Sequence, residues 1–259
     1  TPPSIREYIK DGAWGLRVLP NKFPAVSLEG SQNGKPLKQR KSGTLLTLSG
    51  FGAHEVIIDT PKHDQVFADF SNEQANDLLW AFRERIIDLR KDPRFNYILI
   101  FRNEGEAAGA SLEHSHCQLI GLPVVPPLIQ RETEVAERYY DEESSCVYCD
   151  MVRQEIELKE RVFFETDRVA AFTPYAARSP YEIMVIPKEH MPRYEDAPPN
   201  YISEISLVLR EVINRLAKCL DRPAYNFYIH NSPLRHAESD TSYHHHFEIV
   251  PRITKLGGF

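Results

Sequence analysis

The chain repeats itself, and whatever fold it takes must be built twice from one kind of unit. His54-Glu-Val-Ile-Ile-Asp59 is rich in β-branched residues and runs into Thr60-Pro-Lys-His63, and Tyr181-Glu-Ile-Met-Val-Ile186 runs likewise into Pro187-Lys-Glu-His190. Each stretch predicts a strand that ends at a proline and then presents a histidine. A helix is expected after both. Ser71 with Gln74 forms a capping box ahead of Ala75, Leu78, Leu79, Phe82, Ile86 and Leu89, which recur at helical spacing. From near Asn200, Ile202, Ile205, Leu209, Val212 and Leu216 mark a second apolar stripe reaching about Leu220. A strand follows each helix, over 96–101 and 225–230, then a polar loop, then a last strand reading His114-Ser-His116-Cys-Gln118 or His244-His-His246-Phe-Glu248. The two His-x-His pairs lie 130 positions apart and His63 and His190 lie 127 apart, so the register barely drifts.

Two copies of a strand–helix–strand–strand unit predict an α+β protein of two tandem halves, each an antiparallel sheet with packed helices. They are joined through residues 123–145, with a helix expected near Leu128 to Tyr140. Residues 1–125 and 126–259 describe the halves, although one body is expected rather than two independent modules. Residues 30–43, rich in Gly, Ser, Lys and Gln, are expected to form a surface loop.

Composition narrows the partners. Thirty-one Lys and Arg against 37 Asp and Glu give a net charge of −6 with no basic block, which argues against nucleic acid. The apolar runs are strand-sized, far short of the roughly 20 residues of a membrane helix, so no membrane association is expected. Only two of the four cysteines, Cys146 and Cys149, lie close together, a pattern that fits metal binding in a reducing compartment, with cytoplasm as the default. The chain begins at Thr1 with neither an initiator Met nor a signal pattern, so further residues upstream are expected.

The last strand of the first half carries the chemistry. Alternate side chains of a strand share a face, so His114, His116 and Gln118 are expected to project together. A half-buried strand with such a run needs a ligand, a metal or a reaction to justify it. Just upstream, Asn103, Gly109 and Ser111 lie in a loop whose glycines allow close approach of a ligand and whose polar side chains suit phosphate oxygens. Cys146-Val-Tyr-Cys149 can place two thiolates on one ion, with His190 and His244 as the best partners to complete a tetrahedron. His230, His245 and His246 remain possible substitutes, because spacing cannot rank neighbouring imidazoles. By the repeat, His63 and His114 are the matching pair of the first half, where no cysteine pair precedes them. Cys117 and Cys219 are expected to be small core residues.

The pattern Asn103-x-Gly-x-x-x-Gly109-x-Ser111-x-x-His114-x-His116-x-Gln118 resembles the active-site signature of galactose-1-phosphate uridylyltransferases, within the histidine-triad superfamily. The resemblance extends over the chain, from Asn21-Lys-Phe-Pro24 through Pro-Tyr-Ala-Ala177 and Ile-Pro-Lys188 to Lys255-Leu-Gly-Gly-Phe259. Ser115 stands where the best-known members have proline, and His-Ser-His with Leu-Pro-Val-Val-Pro-Pro127 looks closer to ADP-glucose phosphorylase-like members. What the resemblance implies is two histidine-triad-like halves and a ping-pong nucleotidyl transfer on a nucleoside-diphosphate sugar and a sugar 1-phosphate. His116 would be the nucleophile and Gln118 the donor to the phosphoryl oxygens. Asn103, Gly109 and Ser111 would hold phosphate, and Asn21 and Phe23 the base or ribose. It also implies a structural zinc at Cys146, Cys149, His190 and His244, a second at His63 and His114 if upstream cysteines exist, and a homodimer. The leading expectation is exchange between UDP-glucose and galactose 1-phosphate, and the runner-up is phosphorolysis or adenylyl transfer on ADP-glucose or a dinucleoside polyphosphate. An inactive nucleotide- or zinc-binding module is the third. In the second half Glu248 takes the place of Gln118, and a carboxylate beside a phosphate would repel it, so that half is expected to be non-catalytic.

Overall fold

In the computed structural model, residues 3–10, 12–30 and 40–254 are described. The terminal segment 255–259 and most of the 30–43 stretch lie outside these, but residues 40–42 form a short strand, β3 (Arg40–Ser42), paired with β4 (Leu45–Thr47).

Ten further strands make one antiparallel sheet. In the first half they are β1 (Arg6–Lys10), β2 (Ala13–Pro20), β5 (Ala53–Ile58), β6 (Tyr97–Glu104) and β7 (His116–Leu122). The second half supplies β8 (Val162–Glu165), β9 (Val169–Phe172), β10 (Ile183–Pro187), β11 (Tyr225–His230) and β12 (His246–Pro251). Their order is β1-β2-β5-β7-β6-β11-β12-β10-β9-β8. Read from the middle outward this is a palindrome, in which β6 mirrors β11, β7 mirrors β12 and β5 mirrors β10. The repeat in the sequence has become an internal two-fold, and the halves share a continuous ladder across β6 and β11, from Tyr225 opposite Glu104 to Tyr228 opposite Phe101.

One face of the sheet is covered by α1 (Asn72–Leu89) and α4 (Pro199–Cys219). Helix α1 starts where the sequence places it: Ser71 Oγ accepts the Gln74 N–H at 3.2 Å and the Gln74 side chain accepts the Ser71 N–H at 3.0 Å, so two otherwise orphaned donors are satisfied. Its Leu78, Leu79, Phe82 and Ile86 are buried against Ile57, Ile100, Cys117 and Leu119 of the sheet. Full burial of such side chains contributes about 1.5–3 kcal/mol each. Arg85 adds a buried fork to Glu55 of β5 at 2.7 and 2.8 Å.

The opposite face is unequal. In the second half, α2 (Pro127–Glu143) and α3 (Val147–Leu158) pack over Ala170, Phe172, Met184 and Ile186. In the first half no helix of the described residues covers that face, and His54, Val56, Gln118 and Ile120 are only half-buried on it. Two expectations fail. Cys219, at the last turn of α4, is exposed, because it lies on the outward side of the helix while Leu216 and Leu220 pack against the core. His114 does not lie on the last strand: pairing with β5 begins at His116, so His114 belongs to the preceding loop and does not share a strand face with His116 and Gln118.

Candidate active site

His116 opens β7 with its Nδ1 at 2.8 Å from the carbonyl of His114. A carbonyl can only accept, so Nδ1 carries the proton and Nε2 is left with its lone pair. The ring is almost buried, at 7% exposure, yet with Asn103, Ser111 and His114 it lines a cavity of about 520 Å³. Asn103 also lines an adjoining groove of about 1040 Å³, walled by Leu99, Phe101, Ile120 and Tyr228 and reached by Gly109.

The loop between β6 and β7 makes this space. Gly105 at φ +81° and Gly109 at φ +84° both sit in left-handed backbone, and a Cβ on Gly105 would meet Ala224 at 3.0 Å, so the turn requires glycine there. The Asn103 amide is oriented from the other half of the chain. Arg252 Nε donates to Asn226 Oδ1 at 2.5 Å, and Asn226 Nδ2 donates to the carbonyl of Ala108 and to Asn103 Oδ1, each at 2.8 Å. With its oxygen engaged, Asn103 is left with its NH₂ free to donate.

Gln118 is placed similarly. Its Oε1 lies 2.9 Å from His54 Nε2, and Asn21 Nδ2 lies 3.0 Å from the same nitrogen. Asn21 Oδ1 accepts the Phe23 N–H at 2.9 Å, whereas the Phe23 side chain is 80% exposed, with the Lys22 ammonium over its ring. His54 was not foreseen. The signal available was a polar residue on the outward face of a β-branched strand.

Beneath the motif lies a buried charge cluster that spacing could not have shown. Arg102, fully buried, pairs with Asp59 and with Glu104 at 2.6 Å, donates to Ser115 Oγ at 2.5 Å and touches Cys117 Sγ at 3.6 Å. Ser115 is thereby pinned between the two histidines. Burial pushes the Cys117 thiol up to about 12, so it stays protonated and inert.

His114 faces elsewhere. Its Nε2 donates to the carbonyl of Thr60 at 2.8 Å, which turns Nδ1 toward His63 Nδ1 at 3.1 Å. The second half repeats this pairing and completes it. His190 Nε2 donates to the carbonyl of Asp240 at 2.9 Å, so its Nδ1 lone pair faces Cys149 Sγ at 3.4 Å, with His244 Nδ1 at 3.5 Å from the same sulfur. Ligand atoms of Cys146, Cys149, His190 and His244 all lie within 4.8 Å of one another. Hydrogen bonding from Cys149, then from His190 and His244, holds the Cys146 thiol well down, while the same contact with Cys146 pushes Cys149 up. Two sulfurs and two pre-aimed imidazole nitrogens are a donor set that suits a tetrahedral divalent cation, beside which both thiols would ionise.

Around His246 the first-half site is reproduced and then filled from within. His246 Nδ1 lies 3.0 Å from the carbonyl of His244, as His116 lies to His114. Glu248, however, binds Arg178, Tyr228 at 2.8 Å and His230 at 3.1 Å. Burial opposes its charge, but His230, Tyr228 and Arg178 together outweigh this and hold it near 2. His230 stacks on His246 at 4.6 Å and reaches Glu132 of α2 at 2.8 Å. Glu132, His230 and His246 form a second group with cation-binding geometry. Glu132 carried no sequence signal, since only the packing of α2 brings it here.

A strand-borne imidazole with a fixed tautomer, two amides whose oxygens are already engaged and a glycine-built cavity are groups that can handle a phosphoryl group. Comparison with known proteins gives the class. The profile of the galactose-1-phosphate uridyl transferase N-terminal domain matches residues 9–126 and that of the C-terminal domain residues 132–255. The chain therefore belongs to the galactose-1-phosphate uridylyltransferase family and is a nucleotidyltransferase. ADP-glucose phosphorylase of Arabidopsis thaliana is 36% identical over 261 residues, covering all of this chain and 72% of that protein. Galactose-1-phosphate uridylyltransferase of Thermotoga maritima is 27% identical over 92% of this chain and 73% of its own length. The crystal structure of the Arabidopsis phosphorylase with bound ADP-glucose superposes with a TM-score of 0.87 at 32% identity, covering 99% of this chain and 79% of that one.

Proposed function

We propose that this chain moves a nucleoside monophosphate between phosphates through a covalent adduct on His116, with ADP-glucose as donor. The observation that carries the chemistry is the His116 ring, with Nδ1 pinned to the His114 carbonyl and Nε2 free in the cavity that Asn103 and Ser111 share. In the first step the Nε2 lone pair attacks the α-phosphorus. The N–P bond forms as the P–O bond to the sugar phosphate breaks, and the electron pair leaves with glucose 1-phosphate. The Nδ1 proton stays on the ring, so the adduct is an imidazolium from which phosphorus departs readily. In the second step an oxygen of the acceptor phosphate attacks phosphorus and the N–P electrons return to Nε2. A sugar phosphate leaves as a stable anion and needs no proton, so the Gln118 amide suffices as a hydrogen-bond donor to the phosphoryl oxygens.

Adenine is favoured by the 36% identity to the phosphorylase along the whole chain. Exchange between UDP-glucose and galactose 1-phosphate is the second reading, favoured by the family profiles and the Thermotoga relative. On either reading residues 1–125 carry the chemistry and residues 126–259 buttress it, the Arg178–Glu248 pair occupying the ground where a phosphate would sit. Zinc at Cys146, Cys149, His190 and His244 would hold α3 to the loop before β12 and supply no step. His63 and His114 would provide half of a similar site. By resemblance the working unit is a cytoplasmic homodimer, which light scattering and fractionation would test.

The deciding measurement is intact mass after mixing the protein with ADP-glucose or UDP-glucose without acceptor. An adenylyl adduct absent from His116→Ala supports the first reading and a uridylyl adduct the second. No adduct from either sugar, in protein that holds its metal, would sink both and leave a binding module.

A further inference from the structure

We infer that His54 is a positioning residue that fixes which end of the Gln118 amide faces the phosphoryl group. The inference rests on the nucleotidyl-transfer reading above. The backbone N–H of Ala25 points at His54 Nδ1 at 3.0 Å. An N–H can only donate, so Nδ1 holds a lone pair and the single proton of the neutral ring sits on Nε2. At 2.9 Å from Nε2 lies Gln118 Oε1, which accepts that proton and is thereby committed to His54. The amide NH₂ is left on the other side, as the donor that developing charge on phosphorus requires.

An unrestrained glutamine amide presents its oxygen or its nitrogen with little difference in shape, and the wrong end would set an oxygen against phosphate oxygens. His54 removes that choice before substrate arrives. Through the Ala25 N–H it also ties the segment just beyond Phe23 to the reacting end of the site. His54 touches no substrate on this account. It acts through Gln118.

The test is a double-mutant cycle. Single-turnover formation of the His116 adduct is followed by quenched intact mass at saturating nucleotide sugar for wild type, His54→Phe, Gln118→Ala and the double variant, with melting curves for each. His54→Phe should slow the step roughly 10-fold or more, a fraction of the ~10²–10³ typical of losing an oxyanion donor outright, and should change the rate less than about 2-fold once Gln118 is alanine. His54→Gln, which can donate to Gln118 Oε1, should recover most of the rate. Should His54→Phe melt far below wild type, His54→Asn, too short to reach Gln118, replaces it in the cycle. Equal losses in both backgrounds, or an unchanged rate in His54→Phe, would overturn the inference while leaving nucleotidyl transfer intact. A wild type that forms no adduct with either sugar would instead remove the reading on which it rests.

Discussion

Asp59→Ala would expose what the buried charges under the histidine motif contribute. Asp59 and Arg102 have no exposed side-chain surface, and removing the carboxylate leaves a buried guanidinium short of one partner. Breaking such a pair typically costs about 3–5 kcal/mol. Here Glu104 at 2.6 Å and Ser115 at 2.5 Å stay with Arg102, which puts the expected loss near the lower end, about 3 kcal/mol. For a chain of this size, at about 2–4 °C per kcal/mol, that is a fall in Tm of roughly 6–12 °C. Calorimetry reads it directly. The same variant loosens Ser115 between His114 and His116, so adduct formation should slow even at temperatures where the protein is folded. A Tm within about 2 °C of wild type, with an unchanged rate, would refute the claim that this cluster fixes the motif.

Other expectations are simpler to check. Gln118→His supplies a group able to shuttle protons to water, and should raise hydrolysis of the nucleotide sugar relative to transfer, measured as nucleoside monophosphate released without acceptor. Cys149→Ser should lower bound metal per chain, read by elemental analysis, and depress stability without altering the identity of the adduct. Burial pushes the Glu195 carboxyl up, against a bond from Asn231. A raised carboxyl means the wild type resists ionising on folding, so the stability advantage of Glu195→Gln should grow as pH rises through the interval above the ordinary glutamate value and vanish below it. Urea titrations at pH 4 to 8 would show the opposite trend if the side chain were well paired. Native alkylation near pH 8 should label exposed Cys219 and spare Cys117, as peptide mapping would show.

Local features were legible in the sequence and long-range ones were not. The capping box at Ser71, the proline-ended strands and the Cys-x-x-Cys spacing are each written within a few residues, whereas the helix α3 that carries Cys149 was not foreseen. The repeat foretold that His190 and His244 would echo His63 and His114. It could not foretell that the two copies would join edge to edge at β6 and β11, because backbone pairing leaves no residue-specific mark. Nor could it show that His114 leaves the strand, since alternation along His-x-His-x-Gln is equally compatible with a loop that bends just before pairing starts. His54, Asn226 and Arg252 escaped for one reason: each acts on a side chain far away in sequence, and only the register between strands brings them into contact.

The strand that opens with His116 is an interior one. β7 is hydrogen-bonded on both sides, to β5 and to β6, and the sheet's free edges lie far off at β1 and β8. A strand clamped along both flanks cannot slide or tilt to meet a substrate without breaking two ladders. Whatever adjustment accompanies binding must therefore come from the segments at its margins, the turn around Gly105 and Gly109 and the stretch from Asn21 to Ala25. Nucleotides of different bases would be accommodated by those margins closing differently over an anvil that does not move, so selectivity can evolve there without disturbing the phosphorus chemistry.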